Sequence, residues 1–225
     1  MTIPLGYRTA RRVVELGRGA FFGSDDADLP NNRSAQLQAD DRTPQFGFVG
    51  ANYSTVRVLL FGINPGTGPE SEHRSATDAR MMPALERFAA DPTPEHFVAA
   101  QRAYQAECVT WSIWRRHCRE VIGAGKLALD DIAYTNCLPW RSGSNAAFSD
   151  TVAERAATLY AGPLIAELRP KVVIAMGKRA AESLRMTDAA PTDLIIWNRA
   201  QAATASVLAD RANTAAKIFA RLRQQ

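Results

Sequence analysis

Four short stretches of the chain are apolar at nearly every position instead of at alternate ones. They are "VRVLLFGI" from Val56 to Ile63, "DIAYTNCL" from Asp131 to Leu138, "KVVIAMG" from Lys171 to Gly177 and "DLIIW" from Asp193 to Trp197. A strand with one wet face alternates, so continuous runs of this length predict strands covered on both faces, as in a parallel sheet. Helical patterns fill the intervals. Thr93 is placed to cap a helix with Pro94 at its first position, and apolar residues then recur through "HFVAAQRAYQAECVTWSIWRRHCREVIGAG". Asp150 is placed to cap "TVAERAATLYAGPLIAELR", where Gly162 and Pro163 predict a kink or break; "KRAAESLRM" follows the third strand and "SVLADRANTAAKIFARLR" closes the chain.

Parallel neighbours need crossover connections, so this alternation predicts a three-layer α/β/α fold around a central four-stranded parallel sheet. The 225 residues fit one domain, residues 1–225, because single cores stop growing near ~250–300 residues. Residues 1–50 are less regular. "GSDDADLPNNRS" within them reads as loop, and the region is expected to form an arm or cover. In open sheets of this kind ligands sit beyond the carboxyl ends of the strands. That rule selects "GINPGTG", "TNCLPWRSGSN", "GKRA" and "WNRAQAATAS", and brings Asn64, Asn136, Arg141, Lys178, Asn198 and Arg199 to one rim.

Hydrophobic residues make up 46% and charged residues 22% of the chain, the balance of an ordinary globular protein. No apolar run reaches transmembrane length and "MTIPLGYRTARR" lacks a signal-peptide core, so a cytoplasmic protein is expected. Cys108, Cys118 and Cys137 fit neither a disulfide framework nor a metal motif and read as reduced, buried thiols. The net charge is +4, and the only lysines are Lys126, Lys171, Lys178 and Lys217, so arginine carries most of the positive charge. That usage suits phosphate forks and base stacking, and equally suits a genome rich in Ala and Arg codons. A modest cationic excess permits an anionic partner without demanding one.

Asn64 carries the first candidate chemistry. A carboxamide at a strand end accepts from and donates to a water at once, although it is a poor general base. Pro65 stiffens the backbone beside it and Gly66 allows close approach of a ligand; the same residues also make an ordinary strand-to-helix turn. "GINPGTG" has neither the GK[ST] end of a P-loop nor a GxGxxG fingerprint. His73, His96 and His117 are the only histidines. The last two lie in helix-like segments and read as surface positions, and no His or Cys falls at metal-ligand spacing, so neither metal nor cofactor is expected. Asn136, in "YTNCLPW", ends a strand expected to be buried, where an amide persists only if it is hydrogen-bonded. Its acceptor and donors match the edge of a pyrimidine such as uracil; the alternative is that it ties down the turn at Pro139. Trp111 and Trp114, at helical spacing, read as core.

"VLLFGINPGTG" resembles the first motif of the uracil-DNA glycosylase superfamily, in particular the mismatch-specific and single-strand-selective branches, which carry GxNPG there. "IAYTNCLPWR" is similar to the second strand of that superfamily and "VVIAMGKRAAESL" to its third strand and helix, so the similarity spans about Val56 to Trp197. The resemblance implies a monomeric, monofunctional base-excision repair enzyme that hydrolyses the N-glycosidic bond of uracil or a related deaminated base in DNA. Asn64 would position the water. Asn136 would read the flipped base, with Gly62, Ile63, Pro65 and Gly66 around it and backbone N–H groups near Ile63 and Asn64 supporting the departing anion. Arg141, Lys178 and Arg199 would face the DNA.

The chain also departs from that pattern. The superfamily's His-Pro motif after the fourth strand is replaced by "WNRAQAATAS", where Asn198 would donate in place of histidine and Arg199 would fill the gap in the DNA or grip phosphate. The usual stacking aromatic is replaced by "SATDARMM", leaving Arg80, Met81 or Met82 to form that wall. The four cysteines of the iron-sulfur branches are absent, so no cluster is implied. The missing His-Pro loop equally suits a glycosylase-fold protein that binds damaged or abasic DNA without turnover, and a hydrolase or binder of free nucleotides is a third reading.

Overall fold

The computed structural model describes residues 2–22, 43–63, 65, 76–141, 149–189, 193–200 and 204–223. The fold is α/β with a mixed five-stranded sheet. All four predicted strands form, as β2 (Val58–Gly62), β3 (Ile132–Asn136), β4 (Val172–Met176) and β5 (Leu194–Trp197), and each pairs in parallel with its neighbour. Every residue of β2, β3 and β4 is buried, which is why none of them alternates in sequence.

The expected four-stranded parallel sheet needs one correction. A two-residue strand, β1 (Phe48–Val49), adds to the free edge of β3 in antiparallel sense, giving the order β1-β3-β2-β4-β5. Two residues are too short to leave a periodic signal. The chain runs from β2 outward to β3, then crosses β2 to reach β4, so its direction across the sheet reverses between β2 and β4. In open α/β sheets that reversal marks the carboxyl ends of the flanking strands as the place where ligands bind.

The helices depart from the sequence pattern where local chemistry competes. Thr93 caps Pro94–Cys108 as expected, its Oγ1 accepting from His96 N at 3.3 Å. The single long helix expected to follow is broken after Cys108. It resumes as a wide turn, Trp114–Cys118, closed by Arg119 N–H donating to Trp114 O, and then as Arg119–Gly125. Ser149, not Asp150, caps the next helix: its Oγ accepts from Val152 N at 3.3 Å. In place of the kink or break expected at Gly162 and Pro163 there is a second wide turn, Ala157–Ala161, in which Gly162 N–H reaches back five residues to Ala157 O. The closing helix is Ala205–Arg223. No helix among the described residues is long and apolar enough to cross a membrane.

Part of the N-terminal region is regular. Tyr7–Leu16 is a helix that buries Tyr7, Thr9, Ala10 and Val13, and its open amino end is capped from far along the chain by Glu167. That carboxylate accepts from Gly6 N at 2.9 Å, Thr9 N at 3.1 Å and Thr9 Oγ1 at 2.7 Å. The loop expected over "GSDDADLPNNRS" lies outside the described residues.

Gly47 leads this region into β1. Its φ is +76°, and a Cβ there would collide with the Tyr134 carbonyl of β3. Gly47→Ala is therefore expected to lower unfolding stability by roughly 3 kcal/mol, combining a disfavoured φ with a steric conflict in the ladder. Urea denaturation measures it, and a change below about 0.5 kcal/mol would show that the β1–β3 junction is not constrained this way.

Candidate functional site

Parallel pairing aligns the strand ends into one row. Gly62 is in register with Asn136, Phe61 with Ala175, and Met176 with Trp197, so all four predicted carboxyl-end segments leave the same edge of the sheet. Pairing continues past the strands: Cys137 N donates to Gly62 O at 3.0 Å and Leu138 N to Ile63 O at 2.9 Å. The chain after Asn136 therefore runs beside the start of "GINPG". Asn64 and Gly66 lie outside the described residues; Pro65 is buried and Ile63 half-buried against the core.

Asn136 is 1% exposed. A Cβ at Gly62 would collide with its Oδ1, so glycine at that point of β2 is what admits the carboxamide. On β3 itself, the Tyr134 hydroxyl donates to Asn136 Oδ1 at 3.5 Å. Burial raises the pKa of Tyr134, so the phenol remains a donor. Asn136 Nδ2 has no hydrogen-bond partner among the described residues. A buried amide that leaves its NH2 unpaired costs about 1–3 kcal/mol, which a ligand carbonyl would recover. Its aromatic surroundings add further buried polar tips: among the described residues the Tyr104 hydroxyl lies beside the Asn136 amide without a hydrogen bond of normal geometry, Trp114 Nε1 has no partner, and Tyr134 packs against both rings with centroids 6.2 and 5.3 Å away. Trp114 is core, as its spacing predicts, and Trp111 is partly buried against it.

Several predicted positions serve other interactions. Arg141, expected to face DNA, is 4% exposed and lies in a buried ion pair, its Nη2 donating at 2.8 Å to each carboxylate oxygen of Asp78. Asp78 sits in the first turn of the helix Ala76–Ala90, so the pair ties the loop after β3 to the helix that follows the "GINPG" segment. The stacking wall expected from Arg80, Met81 or Met82 is not formed by the Arg80 guanidinium, which is exposed and turned to Glu107 at 2.7 and 2.6 Å. Met81 and Met82 are fully buried core residues. Asn198 is also committed: its Nδ2 donates to Asp210 at 2.8 Å and its Oδ1 accepts from Ala200 N at 2.9 Å. Lys178 is exposed at the start of the helix Lys178–Arg185, and Arg199 reaches across the end of β4, its Nη1 donating to Met176 O at 3.4 Å. Those two cations do share the rim.

The sequence reading missed Arg211 and misplaced His117. Arg211, on the closing helix, fixes the segment after β5 by donating to Asn198 O at 3.0 Å and Ala200 O at 2.9 Å. No short motif marks it, since its targets are backbone carbonyls. His117, expected at the surface, is 8% exposed, and its Nδ1 accepts from Trp197 Nε1 at 3.5 Å. Burial, reinforced by Arg211, Arg199 and Arg116, lowers its pKa to about 4. The imidazole is thus neutral at pH 7, an uncharged donor through Nε2 behind the carboxyl end of β5. The three cysteines are free and buried, and burial pushes Cys118 and Cys137 up to about 12, so none is a thiolate nucleophile at neutral pH.

No protein-family model matches the chain, and no curated protein matches it.

Two outcomes follow from the site's electrostatics. Asp78→Ala is expected to destabilise the fold by about 3–5 kcal/mol, because it strands a buried guanidinium, whereas Asp78→Leu combined with Arg141→Met recovers most of that loss. Equal losses in the single and double variants, read by urea denaturation, would mean that the pair does not act as a unit. For His117, the unfolded chain binds the proton near pH 6.5 and the folded one near pH 4. Its contribution is therefore present above pH 6.5 and lost as pH falls toward 4. His117→Gln should flatten that part of the stability profile by on the order of 2 kcal/mol; parallel profiles for the two proteins would place the titration elsewhere.

Proposed function

We propose that the protein is a DNA glycosylase of the three-layer, uracil-DNA glycosylase-like type, hydrolysing the bond between deoxyribose and uracil or a related deaminated base. The observation that carries this reading is the Asn136 carboxamide: shielded from water, oriented by Tyr134, admitted by Gly62 and left with an NH2 that has no partner among the described residues, at the carboxyl edge of the sheet. In the proposed complex the base is extruded from the DNA, and Asn136 donates from Nδ2 to a base carbonyl and accepts through Oδ1 from a ring N–H.

Hydrolysis breaks the C1′–N bond, with the electron pair leaving on the base, while a water oxygen bonds to C1′ and its proton passes to solvent or to the departing base. Asn64 holds that water without serving as a strong base. Backbone N–H groups at the end of β2 support the anion. Lys178 and Arg199, on the adjoining rim, supply phosphate contacts.

A second reading is favoured by one observation. Asn198, the expected donor at the end of β5, already donates to Asp210. With that position occupied, the same crevice would hold a damaged base or abasic site without turnover.

Incubation with an oligonucleotide carrying a single uracil, followed by alkali, separates the two. Strand cleavage at the uracil is expected, reduced about a hundredfold or more in Asn64→Ala with folding retained, and reduced also in Asn136→Ala. No cleavage on any deaminated-base substrate, together with retention on abasic DNA that weakens with salt, would replace the catalytic reading with the binding one.

A further inference from the structure

The amino-terminal end of the sheet carries a separate concavity. A groove of about 720 Å³ lies there, within the ~300–1,000 Å³ range of small-molecule sites, lined by Arg8, Tyr53, Arg57, Glu167 and Arg169 over an apolar floor that includes Leu5 and Pro163. Arg57 immediately precedes β2 and Arg169 precedes β4. The groove is thus a strand length away, roughly 16 Å, from the strand end that carries Asn136.

Three features set this groove apart from ordinary surface. Arg57 and Arg169 both adopt left-handed backbone conformations, with φ of 61° and 49°, at helix ends where glycine is the usual residue. Each carries a conformational cost of about 1–2 kcal/mol, and both put a guanidinium on the same groove. Arg57 donates from Nε to Arg169 O at 2.7 Å and from Nη2 to the same carbonyl, which fixes its plane. Arg8 and Arg169 have no hydrogen bond or ion pair through their side chains among the described residues. The second feature is Tyr53, 1% exposed, whose hydroxyl has no hydrogen-bond partner among the described residues. Burial raises its pKa, so it offers a proton and not a charge. The third is that the one carboxylate in the groove, Glu167, has its oxygens turned to the start of the helix Tyr7–Leu16 and makes no ion pair with the arginines among the described residues.

We propose that this groove binds a small phosphomonoester of the size of a nucleoside monophosphate, with its phosphate among Arg8, Arg57 and Arg169, a hydrogen bond from Tyr53, and its organic body on the apolar floor. Guanidinium forks match phosphate oxygens in geometry as well as charge, and an unpaired buried hydroxyl is satisfied by an acceptor brought by the ligand. The site is independent of the glycosylase reading, since it shares no residue with the crevice.

Titration calorimetry with adenosine 5′-monophosphate tests it on the full chain. Saturable binding is expected, competed by inorganic phosphate and not by adenosine. Arg8→Ala combined with Arg169→Ala should weaken it roughly tenfold or more. Tyr53→Phe should weaken it severalfold with the thermal midpoint unchanged or raised, because the hydroxyl it removes has no partner among the described residues. Uracil excision should be unaffected by the arginine variants, so failure here and failure of the proposed catalysis are read separately. The proposal is overturned if neither the nucleotide nor phosphate saturates, if binding survives the double arginine variant, or if an undamaged oligonucleotide binds more tightly than the nucleotide through the same arginines.

Discussion

A glycine facing a carboxamide across two parallel strands is the contact on which the site depends. Gly62 and Asn136 are register partners, and any side chain on β2 at that point would occupy the space of Asn136 Oδ1. Register in a buried sheet is fixed because a one-residue slip would turn every side chain to the other face. The apolar runs that build the core thus also dictate where the amide stands. Polarity at that place is tolerated because the Tyr134 hydroxyl, two residues back on the same strand, reaches the amide oxygen. The same arrangement leaves the NH2 without a partner among the described residues, which favours whatever supplies an acceptor there.

Long-range clamps hold the loops around this contact. The buried Arg141–Asp78 pair joins the segment after β3 to the helix that follows β2, while Arg211 and Asp210 hold the segment after β5. The first spans elements distant in sequence, and the second joins consecutive ones. A buried pair of this kind is weak support for stability, given what desolvation costs, but strong support for geometry, since few other arrangements satisfy both charges. The arginines expected to reach a polyanion thus divide into two groups: Arg141 is internal structure, while Arg199 remains at the rim.

How much of this was legible in the sequence follows from the range of each interaction. The strands were readable because burial on both faces is a local, continuous signal, and the boundaries of β2 through β5 fall within the runs that announced them. Thr93 was readable as a cap because its hydrogen bond spans three residues. β1 was not, since its pairing with β3 is decided by Gly47 and by an edge that exists only once β3 is in place. The helix Tyr7–Leu16 was missed because its capping carboxylate, Glu167, comes from the far side of the chain. Asn136 was singled out correctly as a buried amide requiring partners, but Tyr134 as its partner follows from strand alternation together with the missing side chain at Gly62. His117 was misread as a surface residue because the wide turn Trp114–Cys118 shifts the helical phase that an α-helical repeat would assume.

That shift bears on the chemistry of the rim. A histidine on the outer face of a regular helix would titrate near its ordinary value and add charge in mildly acid solution. Turned inward against Trp197 and surrounded by Arg116, Arg199 and Arg211, it stays neutral until about pH 4. The cationic character of this end of the sheet is thus carried by arginine and lysine, and the imidazole among them contributes a hydrogen-bond donor instead of a charge. Attraction for an anion at the rim should then be set by salt far more than by pH, because guanidinium and ammonium charges are constant across neutral pH while their reach contracts with ionic strength. A glycosylase and a passive DNA binder would share that property; they would differ in whether the Asn64 segment brings a water to the sugar carbon opposite the base held by Asn136.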